Sequence, residues 1–242
     1  MASEYLKWKY RDIRPEQAPE PGAAEKRKNW WHYHKWQVLL GGLLLLALAD
    51  IGWHALGIGD IQPDYQIAYV GTLPLPADTA RAAEAALAAL GADANGDGQV
   101  VVRLNQYART GGESADAAAY AAAAEVRLIG DLEKCDSFFF LLEDFETFQN
   151  GYDALARLDG SLPPPGDHEG LCLRWGDSPA LSALALGQYS ETVLGETVSG
   201  DNRDLLENLY LARRGFRTER RSEHPEQCEA LWNILTEGGE GA

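Results

Sequence analysis

The sequence predicts an α/β domain that is preceded by one transmembrane helix. A predominantly apolar run follows a basic, tryptophan-rich N-terminal segment. Beyond it, short β-rich runs alternate with helical stretches, a pattern typical of parallel strands joined by crossover helices. One of these runs, SFFFLLE at residues 137–143, is apolar almost throughout, which indicates a strand covered on both faces. We therefore expect a three-layer domain with a mostly parallel sheet and helices on both of its faces.

The predicted membrane helix contains the eighteen residues from Trp36 to Trp53. In an α-helix they extend about 27 Å, enough to cross a hydrocarbon core. Aromatic residues flank the run, as they do at membrane–water interfaces: Trp30, Trp31, Tyr33 and Trp36 on one side and Trp53 on the other. This divides the chain into an N-terminal segment at 1–35, an anchor at 36–58 and an α/β domain at 59–242.

The charge distribution predicts the orientation of this anchor. Residues 1–36 contain eight Lys or Arg and five Asp or Glu, a net charge of +3, whereas residues 37–242 carry −19, which together make the −16 of the chain. Basic flanks stay on the cytoplasmic side, so we expect a cytoplasmic N-terminus and an extracytoplasmic C-terminal domain at the cell membrane. A domain this acidic repels phosphate backbones. We therefore expect the lipid bilayer as a partner and no nucleic acid.

Three features of the anchor region leave alternatives open. Asp50 lies near the outer end of the apolar run, where the cost of about 2.5–3.5 kcal/mol for a mid-bilayer carboxylate falls. It is either a boundary residue or an intramembrane contact to a partner. The small residues at 47–49 resemble a cleavage site, so a signal peptide removed after Ala49 is the alternative to an uncleaved anchor. His32 and His34 fit interfacial spacers better than metal ligands.

The first strands and helices of the domain follow from composition and from helix start and stop signals. Three β-rich runs predict strands at 64–71, 99–107 and 137–143. Three helical segments are predicted at 76–91, 111–136 and 144–160. The expected caps and stops are Asp78 and Gly91 for the first helix, Ser114 or Asp116 for the second, and Gly160 for the third.

The last third of the chain continues the same domain. A rigid, proline-rich loop is predicted at 162–170, and additional strands at 170–177 and 207–216. A closing amphipathic helix is predicted at 224–238. Its apolar face consists of Cys228, Leu231, Trp232 and Leu235. The sequence contains no internal repeat and no second long linker, so we expect one domain after the anchor.

The stretch DANGDG resembles the opening of a calcium-binding loop. Asp93, Asn95, Asp97 and Gly98 match its first positions, but the twelfth position, which must supply a carboxylate, is Leu104. We therefore favour a tight turn in which Asp and Asn side chains bond their own backbone. Weak calcium binding at this turn is the alternative.

Two further features bear on chemistry. Cys135, Cys172 and Cys228 lack CxxC spacing, so they form either one disulfide with a spare thiol or three buried free thiols. Ser178, in the stretch GDSPALS, faintly resembles a hydrolase nucleophile, but no histidine and acid follow at the spacing that such enzymes need. We expect a turn there and no enzyme.

Four stretches of the domain resemble one lobe of a type II periplasmic solute-binding protein: QIAYVG, DANGDGQVVVRLNQY, AYAAAAEVRLIGDLEKCDSFFFLLED and FQNGYDALARLDG. This resemblance spans residues 64–160 and implies a single lobe, because the domain is too short for two. The whole chain is also similar to uncharacterised single-pass membrane proteins of gut Firmicutes, which share the blocks KWKYRD, KRKNWWHYHKW and LYLARR. The second resemblance implies an anchored protein and no particular activity.

A single lobe would bind its ligand at the carboxyl ends of the parallel strands, where doubly wound sheets have their crevices. The candidate crevice residues are Thr72, Gln106, Tyr107 and Asp144. The alternative is that these side chains only cap strands and pack the following helices. We expect a binding or recognition module for a small ligand or an envelope component, with no cofactor, metal or catalytic residue. The alternative function is a structural or interaction subunit of a membrane protein complex.

Overall fold

The computed structural model describes residues 22–55, 62–109, 115–193 and 196–237. The chain divides into two compact units, Met1–Asp60 and Ile61–Ala242. The first contains one long helix and the second contains the sheet.

The long helix, α1, extends over Ala23–Ala55. Its segment Lys26–Gly52 is long and apolar enough to cross a membrane. A helix that packs on a soluble core buries one apolar stripe. On α1, by contrast, leucines are exposed all around the helix: Leu39, Leu40, Leu43, Leu44, Leu45, Leu46 and Leu48. This helix is compatible with the predicted anchor. Its orientation, and cleavage after Ala49, stay predictions.

The second unit has a mixed α/β fold with a mostly parallel central sheet, as predicted. The strands are β1 (Tyr65–Gly71), β2 (Val102–Ala108), β3 (Phe139–Leu142), β4 (Leu155–Ala156), β5 (Cys172–Arg174), β6 (Gln188–Val193), β7 (Glu196–Asp201) and β8 (Tyr210–Arg214). The central sheet has the order β2-β1-β3-β8-β4, and β5 also pairs with β8. β1 is parallel to β2 and to β3, whereas β8 is antiparallel to its neighbours. β6 and β7 form a separate antiparallel hairpin.

The helices of this unit are α2 (Ala77–Ala88), α3 (Ala115–Lys134), α4 (Phe145–Tyr152), α5 (Pro179–Ser182), α6 (Asn202–Leu206) and α7 (Pro225–Thr236). A short 3₁₀ turn, Trp175–Asp177, precedes α5. The strands predicted at 170–177 and 207–216 are confirmed as β5 and β8, and the closing helix as α7. On α7 the predicted apolar face is buried: Cys228, Leu231, Trp232 and Leu235.

The third predicted helix is wrong in its second half. α4 ends at Tyr152, and Asp153 adopts a left-handed conformation with φ 48°. The amide oxygen of Gln149 then accepts a hydrogen bond from Leu155 N at 2.9 Å. Leu155, the first residue of β4, pairs with Arg214 of β8. Fully burying Leu155 in the sheet outweighs the helical propensity of this segment. Gly160 therefore lies in the following loop rather than at a helix end.

The predicted cap at Asp78 is also wrong. Pro76 is the residue that precedes α2, and no side chain caps this helix. Proline fixes φ near the helical value and lacks the N–H that would be unsatisfied at a helix start. Asp78 lies in the first turn, where its carboxylate is 3.6 Å from the Arg81 guanidinium. Ser114, one of the two predicted caps of α3, lies outside the described residues, and Asp116 is in the first turn of α3.

Alternate residues of the central strands belong to two hydrophobic clusters, since successive side chains of a strand point to opposite faces. One cluster joins β1 and β3 to α2 and α7 and includes Tyr65, Ile67, Phe139, Leu141, Ala83, Leu87, Leu231 and Trp232. The other joins them to α3 and α4 and includes Ala68, Val70, Phe140, Leu142, Leu128 and Phe148.

The three cysteines and the hydrolase-like serine, Ser178, are all buried in the second unit. Cys135, Cys172 and Cys228 are free and buried, which selects the second of the two alternatives for them. Burial raises the pKa of Cys172 and of Cys228 to about 12, so these thiols stay protonated at neutral pH.

Ser178 is fully buried at the start of α5, where its hydroxyl donates to Leu235 O at 2.7 Å and accepts from Leu181 N. It therefore caps a helix.

Candidate functional site

The candidate site lies at the carboxyl ends of β1, β2 and β3. The chain runs from β1 to β2 on one side and then returns across β1 to β3 on the other, so the strand order reverses at β1. A cleft of about 140 Å³ opens at this reversal. The residues that define it are Gly71, Thr72, Arg109, Glu143, Asp144 and Thr147. We call this space the strand-end cleft.

Glu143, which follows β3, is held in place by two donors. Its Oε2 accepts from Thr72 N at 2.7 Å, and its Oε1 accepts from the Tyr69 hydroxyl at 2.9 Å. Burial, together with this hydrogen bond, raises the pKa of Tyr69, so the tyrosine remains a donor. A Cβ on Gly71 would lie 2.6 Å from Glu143 Oε1 and 2.3 Å from the Tyr69 hydroxyl oxygen. The close approach of these groups therefore depends on glycine.

Asp144 lies beside Glu143 and caps α4. Its Oδ1 accepts from Thr147 N at 3.0 Å. Hydrogen bonds from the Thr147 side chain and backbone hold the pKa of Asp144 below its ordinary value. Asp144 is therefore ionised at neutral pH, and its charge is also favourable at a helix N-terminus. The capping bond fixes one carboxylate oxygen at the mouth of the cleft.

Arg109, just beyond β2, supplies the positive charge of the site. Its Nη2 donates to the Tyr152 hydroxyl at 3.0 Å, and its guanidinium lies 5.7 Å from the centre of the Tyr152 ring. Its Nε is 3.8 Å from the Glu125 carboxylate, which also accepts from the Tyr152 hydroxyl. Burial, and then the bond to Glu125, raises the pKa of Tyr152. Glu125 of α3 and Tyr152 of α4 thus fix the orientation of the guanidinium.

A second cavity of about 360 Å³ lies between α3 and α4 and adjoins the strand-end cleft. Arg109 and Thr147 line both spaces. The second cavity adds Glu125, Gly151 and Tyr152 to the site. A ligand that passes Arg109 could therefore contact three carboxylates, one arginine and an aromatic ring.

The structure separates the four residues predicted from the sequence into two pairs. Thr72 and Asp144 line the strand-end cleft. Gln106 and Tyr107 instead line a groove of about 390 Å³ beside α3. The Gln106 amide oxygen accepts from Leu75 N at 2.8 Å, which fastens the loop between β1 and α2. Of the four, only Thr72 and Asp144 line the strand-end cleft.

Tyr107 belongs to a buried polar network. Its hydroxyl donates to Asp131 Oδ2 at 2.8 Å, and the same carboxylate accepts from Ser137 N at 3.0 Å and from the Ser137 hydroxyl at 2.6 Å. The Arg214 Nη1 lies 3.7 Å from Asp131 and donates to Ser137 O at 2.9 Å. Burial, and then the Asp131 charge, raises the pKa of Tyr107. This network holds α3 to β2, β3 and β8.

Sequence reasoning missed Arg109, Thr147, Glu125 and Tyr152 as site residues. For Arg109 a signal was available, because it follows a predicted strand and is the first basic residue after it. Glu143 directly follows the apolar run of β3 and carried the same signal. Glu125 and Tyr152 lie in helices, and only the packing of α3 against α4 brings them to the second cavity beside the cleft.

The DANGDG turn bonds to its own backbone, as favoured from the sequence. The Asp93 carboxylate accepts from Gly96 N and Gly98 N at 2.7 and 2.8 Å, and Asp97 Oδ1 accepts from Gln99 N at 2.9 Å. The two glycines have φ of 79° and 87°, the left-handed region that glycine tolerates. Among the described residues, no group of three or more His, Cys, Asp or Glu side chains has a geometry suited to a metal ion.

Comparison of the chain with models of protein families, with curated proteins and with solved structures finds no match. Ionised groups of both signs, fixed by neighbouring side chains, are suited to hydrogen bonding and ion pairing with a polar ligand.

Proposed function

We propose that this protein is a membrane-anchored binding module whose strand-end cleft takes a small polar ligand or a polar group of an envelope component. One observation carries the proposal. Thr72, Arg109 and Glu143 come from the ends of three adjacent strands and converge where the strand order reverses. Open α/β sheets bind their ligands at such reversals, outside the carboxyl ends of the strands.

The pre-organisation of the cleft supports this proposal. Glu143 is fixed by Tyr69, Asp144 by Thr147, and Arg109 by Tyr152, so little side-chain entropy would be lost on binding. The adjoining cavities of about 140 and 360 Å³ together fall within the usual range of about 300–1,000 Å³ for ligand pockets. The site therefore has the size for a metabolite rather than for an ion alone.

The proposal includes the arrangement of the protein at the membrane. α1 would anchor the chain with its basic flank in the cytoplasm, and the acidic domain would face the outside. The three-layer arrangement of this domain is part of the same proposal. It is supported by the two hydrophobic clusters to which alternate residues of β1 and β3 belong.

The test is a thermal-shift screen of the full-length protein in detergent micelles against polar metabolites and envelope fragments. A compound present at about one hundred times its Kd stabilises the native state by about 2.7 kcal/mol. We expect such a compound to stabilise the wild type and Arg81→Met but not Arg109→Met. Arg81 is the matched control because its side chain is 73% exposed on α2 and its ion pair within the described part of the chain is with Asp78. A screen without any stabilising compound, or one in which every stabilising compound stabilises Arg109→Met as much as the wild type, would refute the proposal.

The second candidate is an interaction subunit that packs against an apolar helix of a neighbouring membrane protein. The outer surface of α3 favours it, because Tyr120 is 69% and Val126 70% exposed on an alanine-rich helix. This candidate predicts that Val126→Glu abolishes a co-purified complex from native membranes. Glu133→Gln, a polar change on the same helix, should leave the complex intact. Retention of the complex by Val126→Glu excludes this surface.

A further inference from the structure

A second site is formed by the groove between α3 and the β1–β2 pair, which has a volume of about 390 Å³. The residues that determine its chemistry are Gln66, Asn105, Arg127, Gly130, Lys134 and Asp136. It shares no lining residue with the strand-end cleft. We call it the α3 groove.

The α3 groove contains two cations without direct carboxylate partners. Arg127 and Lys134 lie two helical turns apart on one face of α3. Neither forms an ion pair with another described residue. The Asp131 carboxylate between them is already bonded to Tyr107 and Ser137. Two unpaired basic side chains at one opening are suited to binding a carboxylate.

Asp136 supplies the opposite charge at the end of the same groove. Burial, and then repulsion by the Asp131 carboxylate, raises its pKa despite the nearby Lys134. The ionised form of Asp136 is therefore under-compensated in the free protein, and a bound cation would stabilise it. The α3 groove thus offers a separate position for an ammonium group.

The floor between these charges is polar and fixed. Asn105 Nδ2 donates to Gln66 Oε1 at 3.0 Å, which holds the two amides side by side across β1 and β2. The Tyr107–Asp131–Ser137 bonds fix the adjoining wall of α3. Gly130 faces the open space, because a Cβ built on it would meet no atom within 4 Å.

From this arrangement we infer that the α3 groove binds a small zwitterion of the α-amino acid class. Arg127 and Lys134 receive the ligand carboxylate, Asp136 receives the ammonium group, and the amides of the floor contact the side chain. The inference concerns a site separate from the strand-end cleft. Failure of either proposal therefore leaves the other standing.

Isothermal titration of the full-length protein in detergent at neutral pH tests the ligand class. The probes are individual α-amino acids, and for each one that binds, its amide and its analogue without the amino group. We expect at least one amino acid to bind, and both analogues to bind at least about tenfold more weakly, since each loses one charge contact. No binding by any amino acid, or equal binding by an analogue that lacks one charge, overturns the inference.

Substitutions at two helical glycines show which space on the protein binds the amino acid. Gly130→Leu directs a side chain toward the groove, and its Cβ meets no atom within 4 Å, so the helix content should persist while the amino acid no longer binds. Gly151→Leu is the matched control. Gly151 is also a helical glycine at which an added Cβ meets no atom within 4 Å, but it lines the second cavity, between α3 and α4. Unchanged binding by Gly130→Leu, or equal loss in both variants, places the ligand elsewhere.

Asp136→Asn provides a second readout that does not depend on filling space. The loss of its charge should weaken amino acid binding by about tenfold and leave binding of the analogue without the amino group unchanged. Equal effects on both ligands would contradict the role given to Asp136.

Discussion

At the scale of single residues, two contacts set the shape of the strand ends. Gly71 lets Tyr69 and Glu143 meet at the end of β1, and Asp64 organises the start of the same strand. The Asp64 carboxylate is buried and accepts from Ala94 N and Asn95 N at 2.7 and 3.0 Å, and from Val101 N at 2.7 Å. This residue therefore joins the DANGDG turn to the sheet, a role that its position at the edge of a predicted strand did not indicate.

Gly71→Ala tests the first contact. The added methyl group must displace the buried Tyr69 ring or Glu143, which costs about 1–3 kcal/mol in the free energy of unfolding. Gly130→Ala is the control, because it adds a methyl group in open space on α3 and should stabilise by about 0.5–1 kcal/mol. Thermal denaturation of both variants measures the difference. A Gly71→Ala variant as stable as the wild type would show that the contact is not tight.

Asp64 predicts a pH dependence of stability. Burial alone would raise its pKa, but the backbone N–H donors outweigh burial and hold the pKa below its ordinary value. A carboxyl group whose pKa is lower in the folded than in the unfolded state stabilises the fold above the unfolded pKa. That stabilisation is lost as the pH falls through the folded pKa, below about pH 4.

Asp64→Asn should therefore be less stable than the wild type at neutral pH, by about 1–3 kcal/mol, because one oxygen cannot accept all three bonds. The difference should shrink as the pH falls through the lowered folded pKa of Asp64, because the wild-type carboxylate itself then becomes protonated. Urea denaturation at several pH values measures both quantities. A difference that is constant with pH would contradict the assignment.

At the scale of secondary-structure elements, the parallel strands were accessible to sequence reasoning and their small neighbours were not. β1, β2 and β3 are β-rich runs separated by alanine-rich helices, so periodicity and composition suffice to predict them. β4 has two residues, and its existence depends on pairing with β8, which follows far later in the chain. The direction of β8 likewise depends on tertiary pairing, and no local pattern encodes it.

The same reasoning explains the partial prediction of the site. The rule for strand ends requires only the strand boundaries, and the Thr72 and Asp144 that it selects line the strand-end cleft. Gln106 and Tyr107 also end a strand, but their side chains bond to Leu75 and Asp131. Which way a side chain at a strand end points, and what it contacts, depends on the helices packed above it.

The contact between α3 and β8 provides a prediction at this scale. Arg214→Met leaves the buried Asp131 without its positive partner, which costs about 3–5 kcal/mol when a buried pair is broken on one side. Asp131→Leu combined with Arg214→Met should cost less than the sum of the two single changes, because the double variant buries no unpaired charge. Chemical denaturation of the cycle measures the coupling. Additive costs would show that the pair does not act as a unit.

At the scale of the whole molecule, the two units differ in where their apolar side chains lie. The exposed leucines of α1 are unsuited to water, whereas the second unit has its own buried clusters. The chain carries a net charge of −16 in spite of its basic N-terminal segment. These features are consistent with a lipid-embedded helix that holds an acidic domain near a membrane surface.

Protease protection tests the proposed orientation. Protease added to intact cells that express the full chain should remove the C-terminal domain and leave the N-terminal segment protected. An epitope tag at each end of the chain reports the N-terminal segment and the C-terminal domain separately. A C-terminal tag that survives until the cells are lysed would contradict the extracytoplasmic position.

Hydrogen–deuterium exchange of the full-length protein, with and without a stabilising compound, shows whether the strand-end cleft binds a ligand. We expect slower exchange in the backbone around Thr72 and in the first turn of α4, with little change in the β6–β7 hairpin. Protection that appears only in the hairpin or on the outer surface of α3, with none at the strand ends, would contradict it.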